Sequence, residues 1–260
     1  MNFDYDFSAR PVLVTGASHG LGLATAQLLA AFGAPLALCA RDPARLNEEA
    51  DRLRAKFGVP IFTRALDVVE EETLAEFVAE AGRRLGDFGG IVANVGGARG
   101  TRLEDTSADD WAYTLGVNVV GAMTALRAAT PQLRRTGGAS VLVSSISGSK
   151  PAPGLPYGAT KAALNHAAAI LSRELGGEGV RVNAVAPGSM LVPNGRWDRM
   201  RVDDPEAYAA FREEFPTGRL VDPVDVASVI VFLLSDAARA VNGAVVPVDG
   251  GQNAPTAFGY

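Results

Sequence analysis

The chain has 260 residues, 48% of them hydrophobic and 20% charged, with 24 basic and 29 acidic side chains and a formal net charge of −5. That length supports a substantial core in one large α/β domain or two small ones, and the absence of a basic stripe excludes nucleic acid as an expected partner. The longest apolar runs, such as "VIVFLL" at 229–234, are too short to span a bilayer, and "MNFDYDFSARP" lacks the basic and apolar blocks of a secretory signal, so a cytoplasmic location is expected.

The first strand, "PVLVT" at 11–15, runs into "TGASHGLG" and then the apolar helix "LATAQLLAAFG", for which Gly33 is the expected C′ stop. Gly16, Gly20 and Gly22 are spaced Gly-x-x-x-Gly-x-Gly, and glycines between a strand and a helix let backbone N–H groups approach a pyrophosphate. The second strand, "PLALCA" at 35–40, contains the single cysteine, Cys39, which rules out an internal disulfide and reads as a buried strand residue. It ends at Ala40-Arg41, where NAD-binding folds commonly carry an acid against the ribose 2′-hydroxyl. A guanidinium there can instead bind a 2′-phosphate, so NADP(H) is expected over NAD(H), although Asp42 lies one register slip from the discriminating position.

The third strand, "IFTRAL" at 61–66, leads to Asp67, placed to accept from an adenine amino group or to cap the next helix; the fourth is "GIVAN" at 90–94. "TSADD" at 106–110 offers a helix N-cap with an acid three residues on. After the fifth strand, "SVLVSS" at 140–145, the stretch "GLPYGATKAALNHAAA" sets Tyr157 and Lys161 one helical turn apart on one face, a spacing that by itself also describes an ordinary surface pair. The sixth strand is "VRVNAVA" at 180–186 and the seventh "AVVPVD" at 244–249. Between them, residues 188–218 carry no strand signal but Met190, Leu191, Val192, Trp197, Met200, Phe211 and Phe215, and read as a substrate lid or as a solvated helical excursion. Strands alternating with long helical segments, with no linker, predict one Rossmann-type doubly wound α/β domain over 1–260, its seven-stranded parallel sheet flanked by helices on both faces.

Thr15-Gly16-x-x-x-Gly20-x-Gly22, Asp67, "ANVGG" at 93–97, Asn118 in "VNVVG", "SSISG" at 144–148, Tyr157-x-x-x-Lys161, "NAVAPG" at 183–188 and "VDGGQ" at 248–252 follow one another along the chain. In that order they resemble the compact, single-domain form of the short-chain dehydrogenase/reductase family over essentially the whole length. The resemblance implies an oxidoreductase moving hydride between NADP(H), or less favourably NAD(H), and a small-molecule ketone or secondary alcohol, with 3-oxoacyl-type carbonyl reduction one instance. It implies a tetrad of Asn118, Ser145, Tyr157 and Lys161, with Tyr157 as general acid or base, Lys161 beside the phenol and the nicotinamide ribose, Ser145 on the carbonyl oxygen and Asn118 anchoring a relay water. A lysine ammonium one turn away is expected to favour phenolate, because an opposite charge lowers an acid's pKa.

The implied cofactor site takes Gly16, Ser18, His19, Gly20, Leu21 and Gly22 from the phosphate loop, with His19 beside the phosphates and Arg41 following. It continues through Asp67 and Val68, then Asn94 and Gly96, then Tyr157 and Lys161, and ends with Pro187, Gly188 and Met190. Gly16, Arg41, Asp67, Asn94, Ser145 and Gly188 all fall at the C-terminal ends of predicted strands, the ligand edge of such sheets. No metal is expected. The small residues along 157–176 are implied to pack a homotetramer or homodimer, with His166 as an interface residue.

Three positions depart from the family pattern. Ala93 replaces the first of two asparagines; Ser144, not Ser145, is thirteen residues before Tyr157, although Ser145 fits the motif; and Val192 stands where a threonine helps hold the carboxamide. Trp197, Met190, Leu191 and Phe215 suggest an apolar substrate pocket, while Arg99 and Arg102 could meet an anionic group. A catalytically silent dinucleotide-binding regulator has no need of the full tetrad. A sugar-nucleotide epimerase or dehydratase is disfavoured by the glycine spacing, and an enoyl reductase by the four-residue Tyr–Lys interval.

Overall fold

The computed structural model describes residues 5–152 and 154–254; Met1–Asp4 of the opening, Pro153 in the loop before Tyr157 and the last six residues lie outside them. Apolar runs too short for helices become strands β1 (Val12–Thr15), β2 (Leu36–Ala40), β3 (Ile61–Ala65), β4 (Gly90–Ala93), β5 (Ala139–Val143), β6 (Arg181–Pro187) and β7 (Val245–Val248). All pair in parallel, in the order β3-β2-β1-β4-β5-β6-β7. Parallel neighbours require crossovers, supplied by α1 (Gly20–Ala31), α2 (Pro43–Phe57), α3 (Glu71–Leu85), α4 (Ala108–Leu115), α5 (Gly121–Thr136), α6 (Leu155–Gly176) and α9 (Pro223–Leu234).

Side chains alternate across the sheet, so β1 feeds both layers of core. Val12 and Val14 pack with Leu29 of α1, Leu46 of α2 and Ile230 of α9, while Leu13 packs with Phe77 of α3, Leu133 of α5 and Leu164 of α6. Gly33 stops α1 in the left-handed region at φ 84°, its N–H donating to the Ala30 carbonyl. Ser107 caps α4 reciprocally with Asp110: the Asp110 N–H donates to Ser107 Oγ and the Ser107 N–H to the Asp110 carboxylate, at 3.1 and 3.0 Å.

Two features shape the ligand edge. The junction of α4 and α5 is a π-helical turn, Gly116–Val120, which carries Asn118. Residues 188–218 form α7 (Arg196–Asp203) and α8 (Pro205–Arg212), neither of which buries a residue, joined by stacking of Trp197 on Phe211 at 3.9 Å between ring centroids. Strand order reverses at β1, with β2 on one side and β4 on the other, so connections diverge there and open a crevice at the C-terminal ends of the strands.

Candidate active site

A cleft of about 520 Å3 opens at that crevice, bounded by the phosphate loop, the β2–α2 junction, the end of β3 and the loop after β4. Gly16 sits at φ 68°, a conformation that suits glycine. A Cβ on Gly22 would run into the Gly16 carbonyl oxygen and lie 2.6 Å from Asn94 Nδ2, so only glycine lets α1 start this close to β1. Asn94 ties the two strand ends together, donating through Nδ2 to the Thr15 and Gly16 carbonyls at 3.0 and 3.3 Å. The N-cap of α1, His19, makes no side-chain cap bond and the first turn holds no acid, which leaves the helix N-terminus suited to an anion. These residues fit the pyrophosphate of a dinucleotide.

At the cleft's far end, Arg41 and Arg45 both line the wall. Asp42 is engaged otherwise: its carboxylate caps α2 by accepting the Arg45 backbone N–H at 3.1 Å. Asp67 lines the same cleft and accepts the Val69 N–H at 3.3 Å, while α3 begins without a side-chain cap. The Cys39 thiol is fully buried and pushed up to about 12, which rules it out as a nucleophile at neutral pH.

A second cleft of about 290 Å3 shares Leu21, Asn94, Gly96 and Gly97 with the first and adds Ser144, Ser145, Tyr157, Lys161, Pro187, Gly188 and Met190. Lys161 is 2% exposed, with Nζ donating to the Val143 carbonyl at 2.8 Å and lying 5.4 Å from the Tyr157 ring centroid. Burial lowers its ammonium to about 7, and burial raises the half-buried Tyr157 phenol above its ordinary value, against a smaller pull from the Ser145 hydroxyl. The two serines differ: Ser144 Oγ donates to the Lys161 carbonyl at 2.9 Å, whereas Ser145 Oγ accepts the Ser147 N–H at 3.1 Å and stands beside the phenol. Asn118 lines neither cleft; fully buried, it donates through Nδ2 to the Gly97 and Thr114 carbonyls at 2.6 and 2.8 Å, while its Oδ1 has no hydrogen-bond partner among the described residues. A Cβ on Gly96 would meet that Oδ1 at 3.2 Å and Lys161 Nζ at 3.4 Å, so the amide and the ammonium converge on one small space.

A family model described as "Enoyl-(Acyl carrier protein) reductase" matches residues 16–253. A glucose 1-dehydrogenase of Gluconobacter oxydans is 34% identical over 251 residues, covering 94% of this chain and 92% of the relative. The chain belongs to the short-chain dehydrogenase/reductase family. Within it, a meso-2,3-butanediol dehydrogenase of Serratia marcescens is 32% identical over 251 residues, covering 95% of this chain and 96% of the relative. Among solved structures, L-sorbose reductase from Gluconobacter frateurii, complexed with NADPH and L-sorbose, matches with a TM-score of 0.90 at 30% identity, covering 97% of this chain and all of the other. The chain is therefore an oxidoreductase of the short-chain dehydrogenase/reductase type, a family that uses nicotinamide cofactors.

Several expectations change on this frame. The expected pull of the Lys161 ammonium on the Tyr157 phenol meets an opposing effect: Nζ donates to the Val143 carbonyl, and burial acts on both groups toward their neutral forms. Of the four residues expected in an apolar pocket only Met190 lines either of the two clefts: Phe215 is buried in the core against Phe211, Trp197 stacks within 188–218, and Leu191 lies outside both. Arg99 does not reach either cleft but lies over the Tyr113 ring at 3.8 Å, and Arg102 is exposed outside both. Val192, at the departure from the family pattern, faces the phosphate loop, where a Cβ on Gly20 would meet it at 3.4 Å. Sequence reading missed Arg45; its signal is its place on the first turn of α2, four residues beyond Arg41.

Proposed function

We propose that this protein is an NADP(H)-dependent reductase or dehydrogenase of a ketone/secondary-alcohol pair, built as a single domain with residues 188–218 as its substrate lid. The observation that carries the reading is the meeting of Ser145, Tyr157 and Lys161 on one small cleft continuous with the cleft that fits a dinucleotide. When bound, the cofactor supplies the hydride. Tyr157 donates its phenolic proton to the carbonyl oxygen as hydride reaches the carbon, and in the reverse direction accepts the hydroxyl proton. A phenol held above its ordinary pKa is fully protonated at neutral pH, the form needed for reduction. Ser145 donates to the same oxygen and orients it, while Ser144 holds α6 in place through the Lys161 carbonyl. Lys161, near 7, exchanges protons readily at neutral pH, and Asn118 Oδ1, converging on it over Gly96, anchors the relay that resupplies Tyr157.

Arg41, with Asp42 engaged as a helix cap, supports NADP(H) over NAD(H). The four-residue Tyr157–Lys161 interval supports carbonyl over enoyl chemistry. The exposed outer face of α6, with Leu155 42% and Ile170 51% exposed, supports a homodimer or homotetramer. The test is a screen of ketones, sugars and alcohols followed by NADPH absorbance, with Tyr157→Phe as control. The expected result is turnover that falls about 10^2- to 10^4-fold in the variant while NADPH binding persists; turnover that survives the substitution overturns the mechanism.

A further inference from the structure

The two ends of the 188–218 segment close on each other at its base. The Leu191 N–H donates to the Val221 carbonyl at 3.2 Å and the Val221 N–H to the Ser189 carbonyl at 3.1 Å, a parallel bridge at Met190 beyond which α7 and α8 form a flap. Against this base sits Gln252, a side chain only 5% exposed that lines neither cleft. Asp249 bends the chain there after β7, its carboxylate accepting the Gly251 and Asn253 N–H groups at 3.0 and 2.9 Å. The approach is close: a Cβ on Gly188 would lie 2.8 Å from Asp249 Cα and 3.0 Å from Gln252 Oε1. The Gln252 carboxamide is engaged on both sides. Its Oε1 accepts the Ser189 N–H at 2.8 Å, while Nε2 donates to Ser189 Oγ at 3.3 Å and to the Glu214 carboxylate, near the far end of the flap, at 3.2 Å. The Gln252 backbone carbonyl accepts Lys150 Nζ at 2.9 Å, from the loop that joins Ser145 to Tyr157, and that ammonium also stands 3.7 Å from the Glu214 carboxylate.

Resting on the reading of 188–218 as the substrate lid, we propose that Gln252 is a positioning residue for the carbonyl substrate: it holds the Gly188–Met190 wall of the second cleft, the closing end of the lid and the loop between Ser145 and Tyr157 in one arrangement. Lys150 and Glu214 are both partly exposed, and an ion pair in contact with water contributes little by itself. The buried amide supplies what that pair lacks, a hydrogen bond to a charged group that is shielded from water. Its removal deprives the Ser189 N–H of its acceptor and releases the lid at Glu214, while the glycine loop and Tyr157 keep their own contacts. The effect therefore falls on capture of the ketone more than on cofactor binding or the chemical step.

The experiment compares the full chain with Gln252→Ala, Gln252→Glu, Lys150→Met and the double variant Gln252→Glu with Glu214→Gln. Trypsin reads the lid without any ligand, because Arg196, Arg199, Arg201 and Arg212 are exposed on α7 and α8, and exposed Arg134 on α5 reports unfolding elsewhere. Gln252→Ala is expected to speed cleavage in the lid about tenfold with cleavage after Arg134 unchanged, and to raise KM about tenfold for the ketone that the NADPH screen turns over fastest, with kcat within about twofold and NADPH Kd within about threefold. Gln252→Glu sets two carboxylates against each other and is expected to do the same. Adding Glu214→Gln restores a donor facing an acceptor, and lid cleavage and KM are expected to return to within about threefold of the unsubstituted values. Lid cleavage and KM unchanged in Gln252→Ala, a fall in kcat and melting temperature with KM unmoved, or a double variant no better than Gln252→Glu overturns the proposal. Lys150→Met leaves the core untouched and decides if Gln252→Ala does not fold: lid cleavage is expected to speed several-fold, and an unchanged rate overturns the proposal. Turnover that survives Tyr157→Phe, or no turnover of any ketone, overturns the reductase reading instead, and the cleavage rates still decide whether Gln252 holds the lid.

Discussion

Lys161 shows at the scale of one residue how a buried cation weighs on a fold. Its ammonium is lowered to about 7 by burial and has the Val143 carbonyl as its hydrogen-bond acceptor. An unfolded lysine titrates near 10.4, so between pH 7 and that value the unfolded chain binds more protons than the folded one, and this residue's contribution to stability rises with pH; below 7 its penalty is present in full. Lys161→Met is therefore expected to raise the melting temperature at pH 6, less the roughly 1 kcal/mol of one lost hydrogen bond, with a gain that shrinks toward pH 10, while carbonyl reduction is lost. Scanning fluorimetry across pH checks the sign. The serines divide in the same way: Ser145→Ala is expected to lower kcat at least tenfold with little change in melting temperature, and Ser144→Ala, which frees the Lys161 carbonyl in a buried site, to lower the melting temperature. Spacing alone could not separate the two hydroxyls, because the difference lies in which way each turns from the end of β5.

Among the elements, the strand–loop–helix unit at 12–31 was the most legible. Its glycines meet a constraint between near neighbours in sequence: Gly22 must clear the Gly16 carbonyl oxygen. Gly22→Ala is expected to lower the melting temperature by several degrees and to abolish NADPH binding. Gly177, helical at φ −64° with nothing within 4 Å of an added Cβ, serves as control: Gly177→Ala is expected to leave binding unchanged and to stabilise slightly, by about 0.4–1 kcal/mol. Less legible was the π-helical turn that carries Asn118, since no residue in "GVNVV" signals an extra residue per turn. The aromatic stretch 188–218 was legible as an interruption but not in its packing. Trp197 and Phe211 satisfy each other across α7 and α8, and sequence hydrophobicity does not say whether an aromatic faces a partner or a ligand.

For the whole molecule, the order of strands gathers residues separated by well over a hundred positions, from Gly16 to Met190, along one sheet edge. Helix α6 contributes Tyr157 and Lys161 to that edge on one side, and on the other presents Ala159, Ala162, His166, Ala169 and Ile170 to the exterior. Association through this face is expected to give a dimer or tetramer by light scattering at micromolar concentration, and Ile170→Glu to shift the population toward monomer without altering NADPH affinity. A monomeric unsubstituted protein counts against it. Among the described residues, no helix is long and apolar enough to cross a membrane.

The amino-acid sequence by itself determined the seven strands, the glycine loop and the family, because these are carried by periodicity and by motifs whose spacing is local; the tetrad of Asn118, Ser145, Tyr157 and Lys161 is what membership of the family implies. Tertiary structure decided which serine stands beside the phenol, that Asp42 caps a helix while Arg45 enters the cleft, and that the phenol and ammonium are both driven toward neutrality. Each of those depends on the orientation of a side chain and on its burial by distant elements, and neither quantity is a function of nearest neighbours along the chain.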